Sequence, residues 1–248
     1  MSHYAVLVLH EENQNIDTLL APYNENLEVE PYLKYRYDEA IKKAKEEYGY
    51  RHRSNKELFK IFADEYGLID INGDLYSTYN PNSKWDWYQI GGRFSSSLPL
   101  TNEALEKEYV KYANYPFTDI APINYVNWKY KHLTEEEKNK IRRWWEINIY
   151  DAPLKEGEEK DKYFFYNPKY YKRRYRDAET DIKIQETISF FAVITPDGKW
   201  HAPSNMGWWA CTDGEPEDEL KWDLEFYDRF IEPNLNSDLI CTVVDCHI

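Results

Sequence analysis

Several common targeting and cross-linking signals are missing from this 248-residue chain. It contains no run of eighteen apolar residues, and its first residues, Met1-Ser2-His3-Tyr4, lack the basic and then apolar layout of a secretory signal. Its three cysteines, Cys211, Cys241 and Cys246, form neither a Cys-x-x-Cys pair nor an even disulfide set, which favours reduced thiols. We therefore expect a cytoplasmic protein without a membrane segment and without structural zinc.

Signatures of familiar enzyme and metal sites are also missing. The sequence has no nucleophile elbow, P-loop or dinucleotide fingerprint. Asp70, Asn72 and Asp74 have the spacing of the first calcium ligands of an EF-hand, but Leu75 replaces the required glycine and Pro81 stands where the last acidic ligand belongs. The sequence predicts no metal site and no cofactor, and it leaves open whether the protein is an enzyme.

Positive charge is scarce overall, since the formal net charge is -14. Such a charge repels phosphates, so direct binding to nucleic acid is disfavoured. The segment 211–248 is strongly acidic, whereas Lys169-Tyr170-Tyr171-Lys172-Arg173-Arg174-Tyr175-Arg176 carries no acid. The acidic surface is either simply solvated or imitates a nucleic-acid backbone. The basic segment is an internal electrostatic clamp, a docking surface for a partner, a stacking platform for nucleic acid or the face of an amphipathic helix.

What the chain does have is enough apolar side chain for a core, with 42% hydrophobic and 17% aromatic residues. Tyr4–His10 and Leu239–Ile248 are apolar runs of strand length, and Ile188–Ile194 is a third. Asn72-Gly73 and Thr195-Pro196-Asp197-Gly198 predict the turns of two hairpins.

Helices are predicted between these strands. The segment 31–48 has helical composition, with Leu33, Tyr37, Ile41 and Ala44 on one side, and Ser54 and Thr134 begin capping-box patterns. We predict an α+β fold: a mostly antiparallel sheet that includes the N-terminal strand, the two hairpins and the C-terminal strand, with helices packed on it. Residues 1–248 are expected to form a single domain.

One segment, Lys84–Phe94, stands out for its chemistry. Two adjacent glycines weaken a strand or helix, so Gly91-Gly92 indicates either a sharp turn or the close approach of something to the backbone. Indole and phenol rings beside an arginine suit a planar, anionic ligand. The predicted ligand-binding residues, which include a tryptophan from Met206-Gly207-Trp208-Trp209, are Trp85, Trp87, Tyr88, Gly91, Gly92, Arg93 and Trp208.

The C-terminal strand ends in Asp245-Cys246-His247-Ile248. Alternation along a strand places Asp245 and His247 on one face and Cys246 on the other. Asp245 and His247 are therefore candidate catalytic residues, as an ion pair or an acid–base pair, although a capped surface histidine fits the same pattern. Cys246 is expected to pack in the interior.

These motifs together resemble an uncharacterised protein family of bacteriophages and bacteria, especially actinobacteria. The resemblance rests on Trp85-Asp86-Trp87-Tyr88 with Gly91-Gly92-Arg93, on Thr195-Pro196-Asp197-Gly198, on Met206-Gly207-Trp208-Trp209 and on Asp245-Cys246-His247-Ile248. Phe94 and Trp209 depart from the Trp and Phe expected there, and both changes keep an aromatic ring. The stretch 101–187, helical and tyrosine-rich, has no counterpart and is expected to be a variable insertion. The resemblance implies a mobile-element protein in the cytoplasm of a bacterial host, and it implies no catalytic residue.

Two roles fit these observations. In the first, the aromatic, Gly-Gly-Arg and Asp245/His247 groups form a pocket for a nucleotide-like or phosphorylated small molecule, which the protein sequesters or processes. In the second, the aromatic motif is core and the acidic surface inhibits a host nucleic-acid-binding protein, as an anti-CRISPR protein would. A third reading is an enzyme with hydrolytic chemistry, which an aspartate and a histidine near a phosphate-holding arginine would support. Of the two main roles, we favour the pocket.

Overall fold

A computed structural model of the chain describes residues 2–49, 53–106, 116–130, 132–161, 167–207, 209 and 211–248. The fold is α+β, and its main sheet includes both the N-terminal and the C-terminal strand, which confirms the predicted fold class. None of the helices in these ranges has the length and apolar content that crossing a bilayer requires.

The chain divides into two compact units, residues 1–20 with 85–248 and residues 21–84. The segment 101–187 belongs to the first unit. The predicted single domain with a variable insertion stays a prediction.

The first unit is built on a six-stranded sheet, in which only the β1–β9 pair is parallel. In spatial order the strands are β10 (Trp200–His201), β9 (Ala192–Ile194), β1 (His3–His10), β11 (Ile240–His247) and β5 (Trp87–Ile90), and β8 (Ile120–Pro122) also pairs with β11. A separate pair consists of β6 (Leu98–Pro99) and β7 (Phe117–Thr118). The long apolar strands β1 and β11 lie inside the sheet, with a neighbouring strand on each edge.

Helices complete the first unit. They are α1 (Ile16–Leu20), α4 (Asn102–Glu106), α5 (Glu135–Asn148), α6 (Pro168–Tyr175), α7 (Ala178–Gln185) and α8 (Pro216–Phe226). The predicted capping box at Thr134 and Glu137 starts α5. A short 3₁₀ turn, Gly92–Phe94, follows β5, and a π-helical turn, Tyr227–Ile231, follows α8.

One face of the sheet carries the larger core. Leu7, Val193 and Val243 are fully buried there and share a hydrophobic cluster with Trp222 and Phe226 of α8. Because Leu7 pairs directly with Val193 and Val243, all three side chains lie on the same face. The same face continues along β1 to His3.

The second unit contains a three-stranded antiparallel sheet and two helices. The strands are β2 (Tyr32–Tyr35), β4 (Asp74–Ser77) and β3 (Ile69–Ile71), and the helices are α2 (Tyr37–Tyr48) and α3 (Asn55–Glu65). The predicted Asn72-Gly73 hairpin is present, but it belongs to this sheet and not to the main one. The helix predicted over 31–48 begins only at Tyr37, because Leu33 pairs with Tyr76 in the sheet.

Candidate functional site

The candidate site forms where β1, β11 and β5 lie side by side. In this register His3 faces His247, and His247 faces Trp87 on its other edge. Directly paired residues share a face of a sheet, and Asp245 lies two positions from His247 on the same face. We call His3, Asp86, Trp87, Asp245 and His247 the twin-histidine site.

The first histidine is held by a buried carboxylate. His3 Nδ1 lies 2.8 Å from Asp245 Oδ1, and Asp245 is only 2% exposed. The other carboxylate oxygen, Oδ2, accepts the backbone amide of Arg93 over 2.9 Å. An ionised carboxylate only accepts hydrogen bonds, so Nδ1 of His3 donates and its Nε2 is the nitrogen left with a free lone pair when the ring is neutral.

The second histidine repeats this arrangement with a different acid. His247 Nδ1 donates to Asp86 Oδ1 over 2.7 Å, and the same oxygen accepts the Trp87 amide over 2.7 Å. The Asp86 amide donates to the carbonyl of His247 over 3.0 Å, which ties the residue to the end of β11. Each imidazole of the site is therefore oriented by its own carboxylate.

The two imidazoles are close neighbours. Their ring centroids lie 4.9 Å apart at an interplanar angle of 71°. Trp87 stacks on His247 with centroids 4.9 Å apart and packs edge-on to His3 at 5.3 Å. Trp87 is 43% exposed, so an aromatic surface is open to solvent beside the two histidines.

The second nitrogen of each ring is unused. Within the described ranges, Nε2 of His3 and Nε2 of His247 have no hydrogen-bond partner, and neither is among the polar atoms sealed from solvent. His10, also on β1, is different: its Nδ1 lies 2.8 Å from the Glu11 carbonyl and its Nε2 lies 2.9 Å from the Thr242 hydroxyl. His10 is thus a satisfied structural histidine, and the other two retain a reactive nitrogen.

The two glycines are needed because carboxylates approach their backbone. A Cβ on Gly92 would lie 2.5 Å from Asp245 Oδ2, and one on Gly91 would lie 2.3 Å from Asp119 Oδ2. The φ angle is 67° at Gly91 and 52° at Gly92, and residues with a side chain rarely adopt such positive values. The predicted close approach is real, but the approaching groups are the protein's own acids.

Three backbone amides of this loop already have hydrogen-bond partners inside the protein. The Gly91 amide donates to the Val243 carbonyl, and the amides of Arg93 and Phe94 donate to Asp245 and to the Gly91 carbonyl. The predicted role of Gly91 and Gly92 in ligand binding stays a prediction. The Arg93 guanidinium is exposed and has no ion pair or hydrogen bond with the described part of the chain. Its positive charge is therefore not balanced by an acid in the described part of the chain.

The predicted ligand-binding residues separate onto different sides of the sheet. Trp85 is buried and donates from Nε1 to the Leu20 carbonyl over 3.3 Å. Tyr88 packs edge-on to Trp85 and its hydroxyl donates to Asp17. Alternation along β5 places Tyr88 on the face opposite Trp87. Trp85 and Tyr88 therefore pack together on that face, away from Trp87. Trp208 lies outside the described residues.

The predicted partnership of Asp245 with His247 is replaced by two others. Asp245 and His247 share a face of the sheet as expected, but Asp245 bonds to His3 and His247 bonds to Asp86. Burial raises the pKa of the Cys246 thiol well above its usual range, which agrees with the expected packing role. In the described ranges no group of three or more His, Cys, Asp or Glu side chains is placed to hold a metal ion.

Three residues that form or border the site were not predicted from the sequence. Asp86 stands inside the predicted motif, between two tryptophans, where its carboxylate is a usable signal. His3 is identifiable only from the pairing of the two terminal strands. Asp119, which also accepts the Ser95 hydroxyl over 3.0 Å, lies in the segment taken as an insertion, and nothing in its neighbourhood in sequence marks it.

The basic segment 169–176 lies on α6 up to Tyr175, with Arg176 directly after the helix, and it faces acidic residues of the first unit. Arg173 pairs with Glu215 and Glu217, and Arg174 pairs with Glu219 and Asp223. These contacts are those of an internal electrostatic clamp. A groove of about 740 Å³ between α6 and α8 is lined by further basic residues of the segment and by two leucines of α8.

Comparisons with protein-family models, with curated proteins and with solved structures found no match. The chemistry of the twin-histidine site is therefore the basis for the function proposed next.

Proposed function

We propose that the protein binds a nucleotide-like or phosphorylated small molecule at the twin-histidine site. The observation that carries this proposal is that Nε2 of His3 and Nε2 of His247 have no hydrogen-bond partner among the described residues, while separate carboxylates hold the two rings with their centroids 4.9 Å apart. A ring nitrogen that has a fixed orientation but no hydrogen-bond partner inside the protein is suited to bind a ligand.

Each neighbouring group supplies a different part of the recognition. The backbone amide of Arg93 is bonded to Asp245, and its exposed guanidinium, which has no ion pair among the described residues, would bind a phosphate. An imidazole protonated at Nε2 donates to a phosphate oxygen, and a neutral one accepts from a ligand hydroxyl. The exposed indole of Trp87 provides a surface for a planar base. The site therefore suits a small anion joined to a flat ring.

The resemblance to phage and bacterial proteins supports a setting for this activity. There the protein acts in the cytoplasm of a bacterial host and sequesters or processes its ligand. The alternative, an acidic inhibitor of a host nucleic-acid-binding protein, has less support, because Glu217, Glu219 and Asp223 are neutralised by Arg173 and Arg174.

A thermal-shift screen tests the proposal. Wild type, Arg93→Ala and Trp87→Leu are heated with a panel of nucleotides, cyclic nucleotides and sugar phosphates. A ligand that binds only the folded state raises the melting temperature, and at 100 times its Kd it stabilises by about 2.7 kcal/mol. We expect a shift in wild type that both variants reduce. Arg53→Ala, which removes an exposed arginine of the second unit, is the matched control and should keep the shift. No shift with any compound would contradict the proposal.

A further inference from the structure

We propose that the twin-histidine site hydrolyses a phosphodiester of a nucleotide-like ligand by general acid–base catalysis, with His3 and His247 as the two catalytic residues. This inference rests on the proposed binding function and names its substrate class. It starts from the presence of two carboxylate-oriented imidazoles, side by side, each with one free nitrogen.

The carboxylates explain how each ring can hold and release a proton. Asp245 and Asp86 accept from Nδ1, so proton exchange takes place at Nε2 of each ring. A carboxylate on Nδ1 fixes the ring orientation and stabilises the imidazolium that forms during turnover. Asp86 and Asp245 are thus positioning residues. His10, with both nitrogens bonded inside the protein, has no such capacity.

Two neighbouring imidazoles match the two proton transfers of the reaction. The neutral ring takes a proton from water at Nε2 while the water oxygen forms a bond to phosphorus. The bond between phosphorus and the leaving oxygen breaks, and that oxygen receives the Nε2 proton of the other, protonated ring. The products are a phosphomonoester and an alcohol. The rings have then exchanged protonation states, and proton exchange with solvent restores them.

Local charge selects a diester over more highly charged phosphates. A diester carries one negative charge, which one guanidinium balances, and that of Arg93 has no counter-charge among the described residues. A monoester or a triphosphate brings two or more charges close to the carboxylates of Asp86 and Asp245, in a protein whose formal net charge is -14. We assign to the same guanidinium the stabilisation of charge that develops on the non-bridging oxygens.

The test measures turnover and binding on the same samples. The probes are bis(4-nitrophenyl) phosphate, 2′,3′-cyclic AMP and 3′,5′-cyclic AMP. Nitrophenolate absorbance and ³¹P NMR follow cleavage, and equilibrium dialysis follows binding of the cyclic nucleotides. The variants are His3→Gln and His247→Gln, with His132→Gln as the control because His132 is an exposed histidine outside the site.

We expect wild type and His132→Gln to cleave at least one probe with a bell-shaped pH profile. Each site variant should lose a factor of about 10²–10⁴ in rate and one limb of that profile. Loss of one limb reports a missing proton-transfer group, which mere structural damage does not produce. Circular dichroism shows which variants are folded.

The remaining outcomes separate the two proposals. Binding of a cyclic nucleotide without cleavage of any probe would overturn the catalytic inference and leave the binding function standing. Neither binding nor cleavage would overturn both. Cleavage at an unchanged rate in folded His3→Gln and His247→Gln would overturn the assigned roles.

Discussion

Asp245 and His3 are 242 positions apart in sequence and are joined by a 2.8 Å hydrogen bond. The bond exists because β1 and β11 are paired along their whole length, from His3 opposite His247 to His10 opposite Ile240. Asp245 also accepts the Arg93 amide, so one buried carboxylate connects both terminal strands with the glycine loop. The site and the stability of the sheet thus depend on the same residue.

Replacing this carboxylate should cost stability. Asn at position 245 presents one acceptor oxygen and one NH₂ group, so it bonds to both the Arg93 amide and His3 only if His3 moves its proton from Nδ1 to Nε2, and both bonds lose the carboxylate charge. We expect Asp245→Asn to lower the free energy of unfolding by about 2 kcal/mol, measured by urea denaturation. Asp64→Asn, at an exposed position of α3, should change it by less than about 0.5 kcal/mol. Equal effects at the two positions would contradict this account of Asp245.

The glycine loop offers a second stability test. Gly92→Ala combines a positive φ with a clash against Asp245, whereas Gly157→Ala has a positive φ of 82° and open space around the added methyl group. The backbone conformation alone costs about 1–2 kcal/mol. We expect Gly157→Ala to lose about that much and Gly92→Ala to lose at least about 2 kcal/mol more, by the same denaturation measurement. A smaller loss at Gly92 would show that Asp245 can move away.

Two adjacent arginines should differ in their contribution to stability. Arg174 is mostly buried between Glu219 and Asp223, and Asp223 also accepts the Ser189 hydroxyl over 2.9 Å. Arg174→Met leaves these acids without a counter-charge and should cost about 3–5 kcal/mol in chemical denaturation. Arg173→Met removes a more exposed pair and should cost less than about 1 kcal/mol. The reverse order would contradict the internal clamp.

The three cysteines should react very differently. Burial raises the pKa of the Cys241 and Cys246 thiols far above neutral, whereas Cys211 is exposed. Only the thiolate reacts with common thiol reagents. Titration of the native protein with Ellman's reagent at pH 7.5 should therefore modify Cys211 alone, and all three thiols should react in guanidinium chloride. Fast modification of Cys246 in the folded protein would be inconsistent with its place in the sheet.

Much of the fold could be predicted because its signals are local. The apolar runs of β1 and β11 and the capping boxes at Ser54 and Thr134 each depend on a few adjacent residues, and the structure contains all of them. The pairing of strands depends on distant residues. This is why the hairpin at Asn72-Gly73 was assigned to the wrong sheet and β2 was missed.

The site was harder to predict for the same reason. Gly91-Gly92 correctly indicated a close approach to the backbone, but the pattern could not show that Asp119 and Asp245 fill that space. Trp85 and Trp87 look equivalent in sequence, yet one is buried and the other is exposed beside His247. Only the register of three strands shows that His3 completes the site.

The most direct test of the central claim is two-dimensional ¹H–¹⁵N NMR of the histidine side chains, recorded with and without cyclic nucleotides and other phosphorylated compounds. At a pH where the rings are neutral, the account predicts the Nδ1–H form for His3 and His247. A ligand of the site should shift the Nε2 signals of both rings and leave those of His10 unchanged. Shifts confined to other histidines, or an Nε2–H form of His3 and His247 in the neutral state, would contradict the account.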